Sequence, residues 1–113
     1  MITATFSYDQ EDTILSFEIT GHAGYADAGE DIVCAAVSVL AIETVNSIEK
    51  MANHRMTVKQ ADEDGGYLFA HVQSNVVGKQ HEITQILLKH LYLSLQDVHE
   101  TYPDYVQLKK KQS

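Results

Sequence analysis

Two residues of this sequence could act together as a nucleophile and its base, and they lie close together in the chain. Cys34 is the only cysteine, which excludes an internal disulfide and a cysteine-rich zinc site. Its thiol is therefore either a small buried hydrophobe or a reactive group. His22 lies twelve residues earlier and is a proton acceptor of the kind that activates a thiol. The pair predicts an acyl-enzyme mechanism, in which His22 takes the proton of Cys34 and later donates it to the leaving amine.

A helix is predicted to begin at Asp31 and to place Cys34 in its first turn. Residues 31 to about 53 contain no Gly or Pro, and Asp31 is a residue type favoured at the N-cap. Unpaired N–H groups and the dipole at such a helix start favour a thiolate and a developing oxyanion. Because Asp31, Cys34 and Ser38 are three and four residues apart, they share one helix face. Asp31 either orients His22 or caps the helix, and Ser38 either supports the site or bonds to the backbone.

The segment that joins His22 to this helix is rich in glycine and alanine. Residues 21–30 have few side chains to bury, so we predict a mobile loop there. Its small residues leave room for a substrate backbone, although close helix packing would use the same residues. The residues predicted to form this substrate loop are Gly21, Ala23, Gly24 and Gly29.

The elements that must position these residues are predicted from hydrophobic periodicity. Alternating runs predict strands at 2–8, 13–20, 54–61 and 67–73, with a possible edge strand at 105–108. A charged, glycine-containing stretch at 62–66 predicts the second hairpin turn. The order ββαββα(β) predicts an α+β fold, in which a mixed or antiparallel sheet packs with two long helices. A single domain over residues 1–113 is expected.

Both helices carry an apolar stripe at three- and four-residue steps. In the first helix this stripe consists of Ile32, Ala35, Ala36, Val39, Ile42, Val45 and Met51. In the second, predicted from Lys79 to Tyr102 and ended by Pro103, it consists of Ile83, Ile86, Leu87, Leu91, Ser94, Leu95 and Val98. Because its first three turns are apolar almost all round, the first helix is expected to be central.

Composition and charge limit the class of partner. Hydrophobic residues make up 44% and charged residues 21% of the chain, as in ordinary globular proteins. The formal net charge is -8, which disfavours nonspecific contact with nucleic acid and suits a basic partner. Lys109, Lys110 and Lys111 form the only basic run and are expected on a terminal tail. The sequence does not start with a secretory signal pattern, and no segment is long and apolar enough to cross a bilayer without charges, so a cytoplasmic protein without membrane contact is expected.

No cofactor or metal site is predicted. His81, His90 and His99 are nine residues apart, which turns each about 180° from the last on a helix. His54 and His71 lie on predicted strands and are interpreted as structural or exposed. No glycine-rich loop is followed by the lysine that a nucleotide site requires.

Two segments around the His–Cys pair carry a family resemblance. Residues 21–24 read Gly-His-Ala-Gly, and residues 29–38 read Gly-Glu-Asp-Ile-Val-Cys-Ala-Ala-Val-Ser. With the chain length and element order, they resemble the bacterial ribosomal-processing cysteine protease family, Prp. The resemblance implies that His22 and Cys34 are catalytic in an endopeptidase that removes the N-terminal extension of a large-subunit ribosomal protein, a step required for ribosome assembly. It also implies a homodimer, cleavage after a bulky aromatic residue, and a flexible loop that orders with substrate.

Two other functions remain open at this point. In a noncatalytic, ribosome-associated protein-binding module, Cys34 would be a core residue and the loop a docking surface. In a thiol redox sensor, Cys34 would be oxidised reversibly and would need an external thiol to be restored. Replacement of His22 separates these functions, because a sensor keeps its thiol chemistry without the histidine whereas a protease loses peptide cleavage.

Overall fold

The computed structural model describes residues 1–21, 28–61 and 66–113, with the side chains of residues 28–31 excepted. Of the turn predicted at 62–66, residues 62–65 lie outside this part. The elements in chain order are β1 (Ile2–Tyr8), β2 (Ile14–Thr20), α1 (Ala28–Ala52), β3 (Thr57–Ala61), β4 (Tyr67–His71), α2 (Gly78–Thr101) and β5 (Val106–Gln112). This order confirms the predicted α+β class.

All five strands belong to one mixed sheet in the order β3-β4-β2-β1-β5. Antiparallel pairs join β1 to β2, β2 to β4 and β3 to β4, whereas β5 runs parallel to β1. Alternation in β1 buries Ile2, Ala4 and Phe6 on one face. Phe6 stacks on Phe17 of β2, with ring centroids 5.8 Å apart, and meets the ring of Tyr92 in α2 edge-on at 5.2 Å. The core therefore lies between this sheet face and the helices.

The largest differences from the predicted strand boundaries are in β3 and β5, whereas β2 begins one residue later and β4 ends two residues earlier than predicted. β3 begins at Thr57 because α1 ends at Ala52 and the next residue, Asn53, has a φ of 53° and turns the chain. The Gln80 side chain donates to the carbonyls of Ala52 and Asn53, both at 3.0 Å, so His54 follows a capped helix end and is not on a strand. β5 extends to Gln112, so Lys109–Lys111 pair with β1 and do not form a tail.

The stripe on α2 was predicted only in part. Leu91 and Leu95 are buried, and Ile83, Leu87 and Val98 pack against the core. Ile86 is exposed, whereas Leu88, outside the predicted stripe, is fully buried. The buried face of α2 is therefore rotated about the helix axis relative to the predicted face.

Helix α1 departs most from the predictions. It begins at Ala28, three residues early, so the predicted loop is wrong for Ala28, Gly29 and Glu30. Ala and Glu are good helix formers, and acidic residues in a first turn complement the helix dipole. The face packed on the core consists of Val33, Val37, Ala41, Thr44, Ile48 and Ala52. Of the predicted stripe, Ile32, Ala35, Ala36, Val39, Ile42 and Met51 are exposed instead.

Helix α1 is unusually apolar, because its exposed face is apolar as well as its buried face. By length and composition alone, the helical segment Ile32–Ala52 could cross a membrane. In this structure, 28% of its most apolar stretch is buried inside the protein. A core helix of a globular protein passes the same test. Here one stripe of α1 is buried in the core, and the rest of its apolar surface is exposed.

Candidate active site

Gly21 fixes the point at which the chain leaves the sheet toward His22. It follows the last residue of β2, has a φ of +85°, and donates its N–H to the carbonyl of Gly66 at 3.0 Å. A Cβ at this position would lie 2.1 Å from the carbonyl oxygen of Met1. Both the left-handed backbone and the close approach therefore require glycine immediately before His22.

Cys34 lies on the flank of α1, between the face packed on the core and the exposed face. It is half-buried and packs against the core at its buried side. The thiol side chain lines a small cavity of about 70 Å³, formed by α1, the ends of β1 and β2, and the β3–β4 pair. A half-buried cysteine in the wall of a cavity has the access that a nucleophile needs and that an inert core cysteine lacks.

Three of the predicted site residues meet at this cavity: Cys34, Ser38 and Gly21. Ser38 lies one helical turn after Cys34, as the four-residue spacing predicted. His22, Ala23 and Gly24 lie outside the described residues. Gly29 and Asp31 belong to α1, and the side chain of Asp31 is outside the described part.

Because α1 starts at Ala28, Cys34 lies farther from the helix N-terminus than predicted. Asp31 is the fourth helical residue, so its prediction as the N-cap is wrong, and Cys34 is the seventh. The unpaired N–H groups of a helix belong to its first four residues, and the dipole effect falls off within the first turn. Cys34 lies in the second turn, beyond those groups. The helix start therefore offers the side chain of Cys34 less electrostatic support than predicted from the sequence.

Residues of β3 and β4 complete the cavity and were missed from the sequence. The cavity that contains Cys34 is also lined by Gln60 of β3, by Tyr67 and Leu68 of β4, and by Gly66 just before β4. They come to this cavity because β4 pairs with β2 and β3 with β4. The Tyr67 hydroxyl donates to Glu18 at 3.3 Å, and partial desolvation together with this carboxylate raises the pKa of Tyr67. Nothing local in the sequence connects these residues to Cys34, since the contact is set by strand order.

A larger groove, of about 780 Å³, lies at the other end of β1. Its lining includes Tyr8, Tyr92 and Lys110, and the Lys110 ammonium lies 5.4 Å and 5.0 Å from the two ring centroids. No cysteine or histidine is among the described residues that line this groove. The thiol chemistry therefore belongs to the smaller cavity.

Comparison with protein families gives a match over residues 1–107 to the model described as Cysteine protease Prp. This chain belongs to that family. The Prp family is one of cysteine proteases, so the protein is a cysteine protease, and Cys34 is its only cysteine.

Relatives of the Prp family agree in sequence and in fold. The ribosomal processing cysteine protease Prp of Bacillus subtilis (strain 168) is 33% identical over 104 residues, which cover 92% of each chain. A Streptococcus mutans protein of known crystal structure is 35% identical with a TM-score of 0.88, over 100% of this chain and 96% of the other.

The ribosomal processing protease Prp of Staphylococcus aureus has been crystallised with two peptides. In complex with a substrate peptide it is 27% identical to this chain, with a TM-score of 0.86. In complex with a covalently linked product peptide it is 28% identical, with a TM-score of 0.82. Both alignments cover 98% of this chain and 100% of the other.

Proposed function

We propose that this protein is a cytoplasmic endopeptidase that removes the N-terminal extension of a large-subunit ribosomal protein, with Cys34 as nucleophile and His22 as general base. The observation that carries the proposal is the position of Cys34. The only cysteine of a cysteine protease lines a cavity, and Gly21, the residue before His22, lines the same cavity. The names of the relatives support processing of a ribosomal protein.

In the proposed reaction, Cys34 Sγ attacks the carbonyl carbon of the scissile bond while its proton passes to His22. The tetrahedral intermediate collapses, the C–N bond breaks, and His22 returns the proton to the leaving amine. A thioester on Cys34 remains, and water hydrolyses it to release the second product. The covalently linked product peptide in the Staphylococcus aureus relative is consistent with this route. Ser38 is proposed as support from within the cavity, and Asp31 from one turn before Cys34.

The proposed substrate suits the charge of the protein. With a net charge of -8, the enzyme attracts a basic ribosomal-protein tail and repels a nucleic acid backbone. Proposed partners are therefore a basic peptide and a second copy of the chain, without direct contact to nucleic acid or to a membrane.

The proposed homodimer forms through the exposed apolar face of α1. This face includes Ile32, Ala35, Ala36 and Val39, which are three or four residues apart and lie in the first half of the helix. Ile32 is 63% and Val39 60% exposed, which leaves a continuous apolar surface in contact with water. The two alanines let a second copy of the helix approach closely, and a two-fold axis pairs the same patch on both subunits.

The test is cleavage of a synthetic peptide that spans the N-terminal extension of the ribosomal protein. Wild type, Cys34→Ala, His22→Ala and Cys34→Ser are incubated with the peptide, and the products are identified by mass spectrometry. We expect one cut by wild type and a loss of at least about 1000-fold in the three variants, as for other nucleophile–base pairs. A folded wild type that leaves the peptide intact would favour the protein-binding module, and cleavage that survives in His22→Ala would exclude the proposed base.

A further inference from the structure

The groove of about 780 Å³ at the far end of β1 is separate from the cavity that contains Cys34. One wall is a single face of α2, whose residues are four, three and one positions apart: Gln85, Lys89, Tyr92 and Leu93. The other wall is formed by the ends of β1 and β5 and by the chain between β1 and β2. Tyr8, in this wall, lies about 20 Å along β1 from Ile2, which lines the Cys34 cavity.

We propose that this groove is a binding site for a small organic phosphate, in which the phosphate group is attached to a flat apolar body. Its volume lies within the range of about 300–1,000 Å³ that is usual for sites of small molecules. The proposal does not depend on the peptide substrate proposed above.

The charge of the groove is opposite in sign to that of the protein. Lys89, Lys110 and Lys111 line it, against one carboxylate, that of Asp12. The chain has only 8 Lys and Arg against 16 Asp and Glu, so three of its eight cations converge here. Among the described residues, none of the three lysines forms an ion pair with a carboxylate. Their charge is therefore available to an anion, and three cations suit the double charge of a phosphate monoester better than a single carboxylate.

Lys110 is held in place by the aromatic rings beside it. It pairs with Phe6 in the parallel β1–β5 register, so its side chain lies on the face of the sheet that packs against α2. The Lys110 ammonium lies 5.4 Å from the ring centroid of Tyr8 and 5.0 Å from that of Tyr92. These cation–π contacts orient the ammonium without neutralising it, so it keeps its positive charge and its N–H donors for a ligand.

The rest of the lining gives the groove an apolar and ordered part. Tyr8 and Tyr92 contribute their rings, and Leu93 is exposed on α2. The Gln85 amide accepts a hydrogen bond from the N–H of Ile14 at 2.8 Å and donates one to its carbonyl at 2.9 Å, which fixes α2 against the start of β2. A wall that is already ordered loses little entropy when it binds. Because a bare phosphate would leave the apolar part in water, the site favours a phosphate with an apolar body.

The test is isothermal titration calorimetry of the whole protein with phenyl phosphate in 20 mM NaCl. Inorganic phosphate carries the anionic group alone, benzoate carries a single charge on the same ring, and benzylamine carries the ring with a positive charge. For wild type, we expect saturable binding of one phenyl phosphate, with a Kd at least about 5-fold lower than that of inorganic phosphate or benzoate. Benzylamine should not bind.

Substitutions separate the charged part of the site from its apolar part. Lys110→Met and Lys89→Met should each raise the Kd of phenyl phosphate by about 10-fold or more, because each removes a cation and keeps an apolar stem. Lys59→Met, which replaces an exposed lysine of β3 outside the groove, is the matched control and should stay within about 2-fold of wild type. Leu93→Ala should reduce the preference for phenyl phosphate over inorganic phosphate to within about 2-fold.

Four results would overturn the inference. They are the absence of saturable binding of phenyl phosphate, an equal Kd for phenyl phosphate and inorganic phosphate, tighter binding of benzoate than of phenyl phosphate, and a Kd that responds to Lys59→Met as much as to the groove variants. Circular dichroism establishes that each variant is folded. Since Lys89 is exposed on α2, its variant tests the site even where Lys110→Met disturbs the packing of the two tyrosines.

Discussion

At the scale of single residues, Gly21 connects the sheet to the proposed base. Replacement by alanine adds a Cβ that meets the Met1 carbonyl in a backbone conformation that alanine avoids. We expect Gly21→Ala to lower the free energy of unfolding by about 1–3 kcal/mol. We also expect a lower kcat/KM, because the substitution displaces His22.

Gly78 provides the control for this variant. It also has a positive φ, of 63°, but an added Cβ would meet nothing within 4 Å. Gly78→Ala should therefore lose about 1 kcal/mol and retain catalysis. Denaturant unfolding and peptide cleavage of both variants check the comparison, and equal losses of activity would contradict the role given to Gly21.

His54 gives the fold a dependence on pH. It is buried after the end of α1, and neither ring nitrogen has a hydrogen-bond partner among the described residues. Desolvation lowers the pKa of His54 below its usual value of 6.5, so the folded state favours the neutral ring. The unfolded chain therefore binds the proton more readily, and stability is lost as the pH falls through about 6.5 toward the lowered pKa.

Thermal unfolding of wild type and His54→Leu at pH 7.5 and pH 5.5 measures this effect. The wild-type Tm should fall more on acidification than that of the variant, because the other histidines contribute equally to both proteins. The same decrease in the two proteins would show that His54 does not cause it.

Sequence reasoning at this scale identified Cys34 and Ser38 as neighbours, because helical spacing is local. It placed Asp31 at the helix start wrongly, since an aspartate is favoured both at an N-cap and within a first turn. Nothing in the sequence near Val58, Gln60 or Leu68 predicts that they lie close to α1. Their position follows from the order of the strands in the sheet.

At the scale of elements, the strands of the two hairpins were predictable from alternation, whereas the orientation of α1 was not. Its two faces are both apolar, so periodicity could not show which one packs on the sheet. The length of β5 was underestimated because three consecutive lysines are typical of a solvent-exposed terminal tail. On an edge strand, such charges protect the unpaired backbone from another strand.

The exposed face of α1 makes a testable prediction about assembly. Val39→Asp places a charge in the middle of the proposed interface and should shift the dimer toward monomer by about 10-fold or more in dissociation constant. Ile86→Asp replaces an exposed residue on α2 and should leave the dimer intact. Analytical ultracentrifugation distinguishes the outcomes, and a monomeric wild type or a dimer that is unaffected by Val39→Asp would exclude this interface.

At the scale of the whole molecule, the acidic charge of the protein and the basic charge of the proposed substrate predict that activity depends on salt. Attraction between them extends about 8 Å at physiological ionic strength and is screened at higher salt. We therefore expect kcat/KM for the basic peptide to fall several-fold between 20 and 300 mM NaCl, mainly through KM. A neutral version of the peptide should show little change, and an equal response of both peptides would argue against electrostatic attraction.

The fold class, the element order and the family were all accessible from the sequence. The cavity beside Cys34 was not, because it is formed where α1 meets strands that are distant in the chain.

The most direct test of the account is the mass of the intact enzyme during turnover. The protein is mixed with the ribosomal-protein peptide, quenched in acid within seconds, and examined by mass spectrometry with fragmentation. We predict a thioester adduct on Cys34 whose added mass equals the N-terminal product less one water, and no adduct on Cys34→Ala. Cleavage without an adduct in wild type, together with cleavage by Cys34→Ala, would contradict the assignment of Cys34 as the nucleophile.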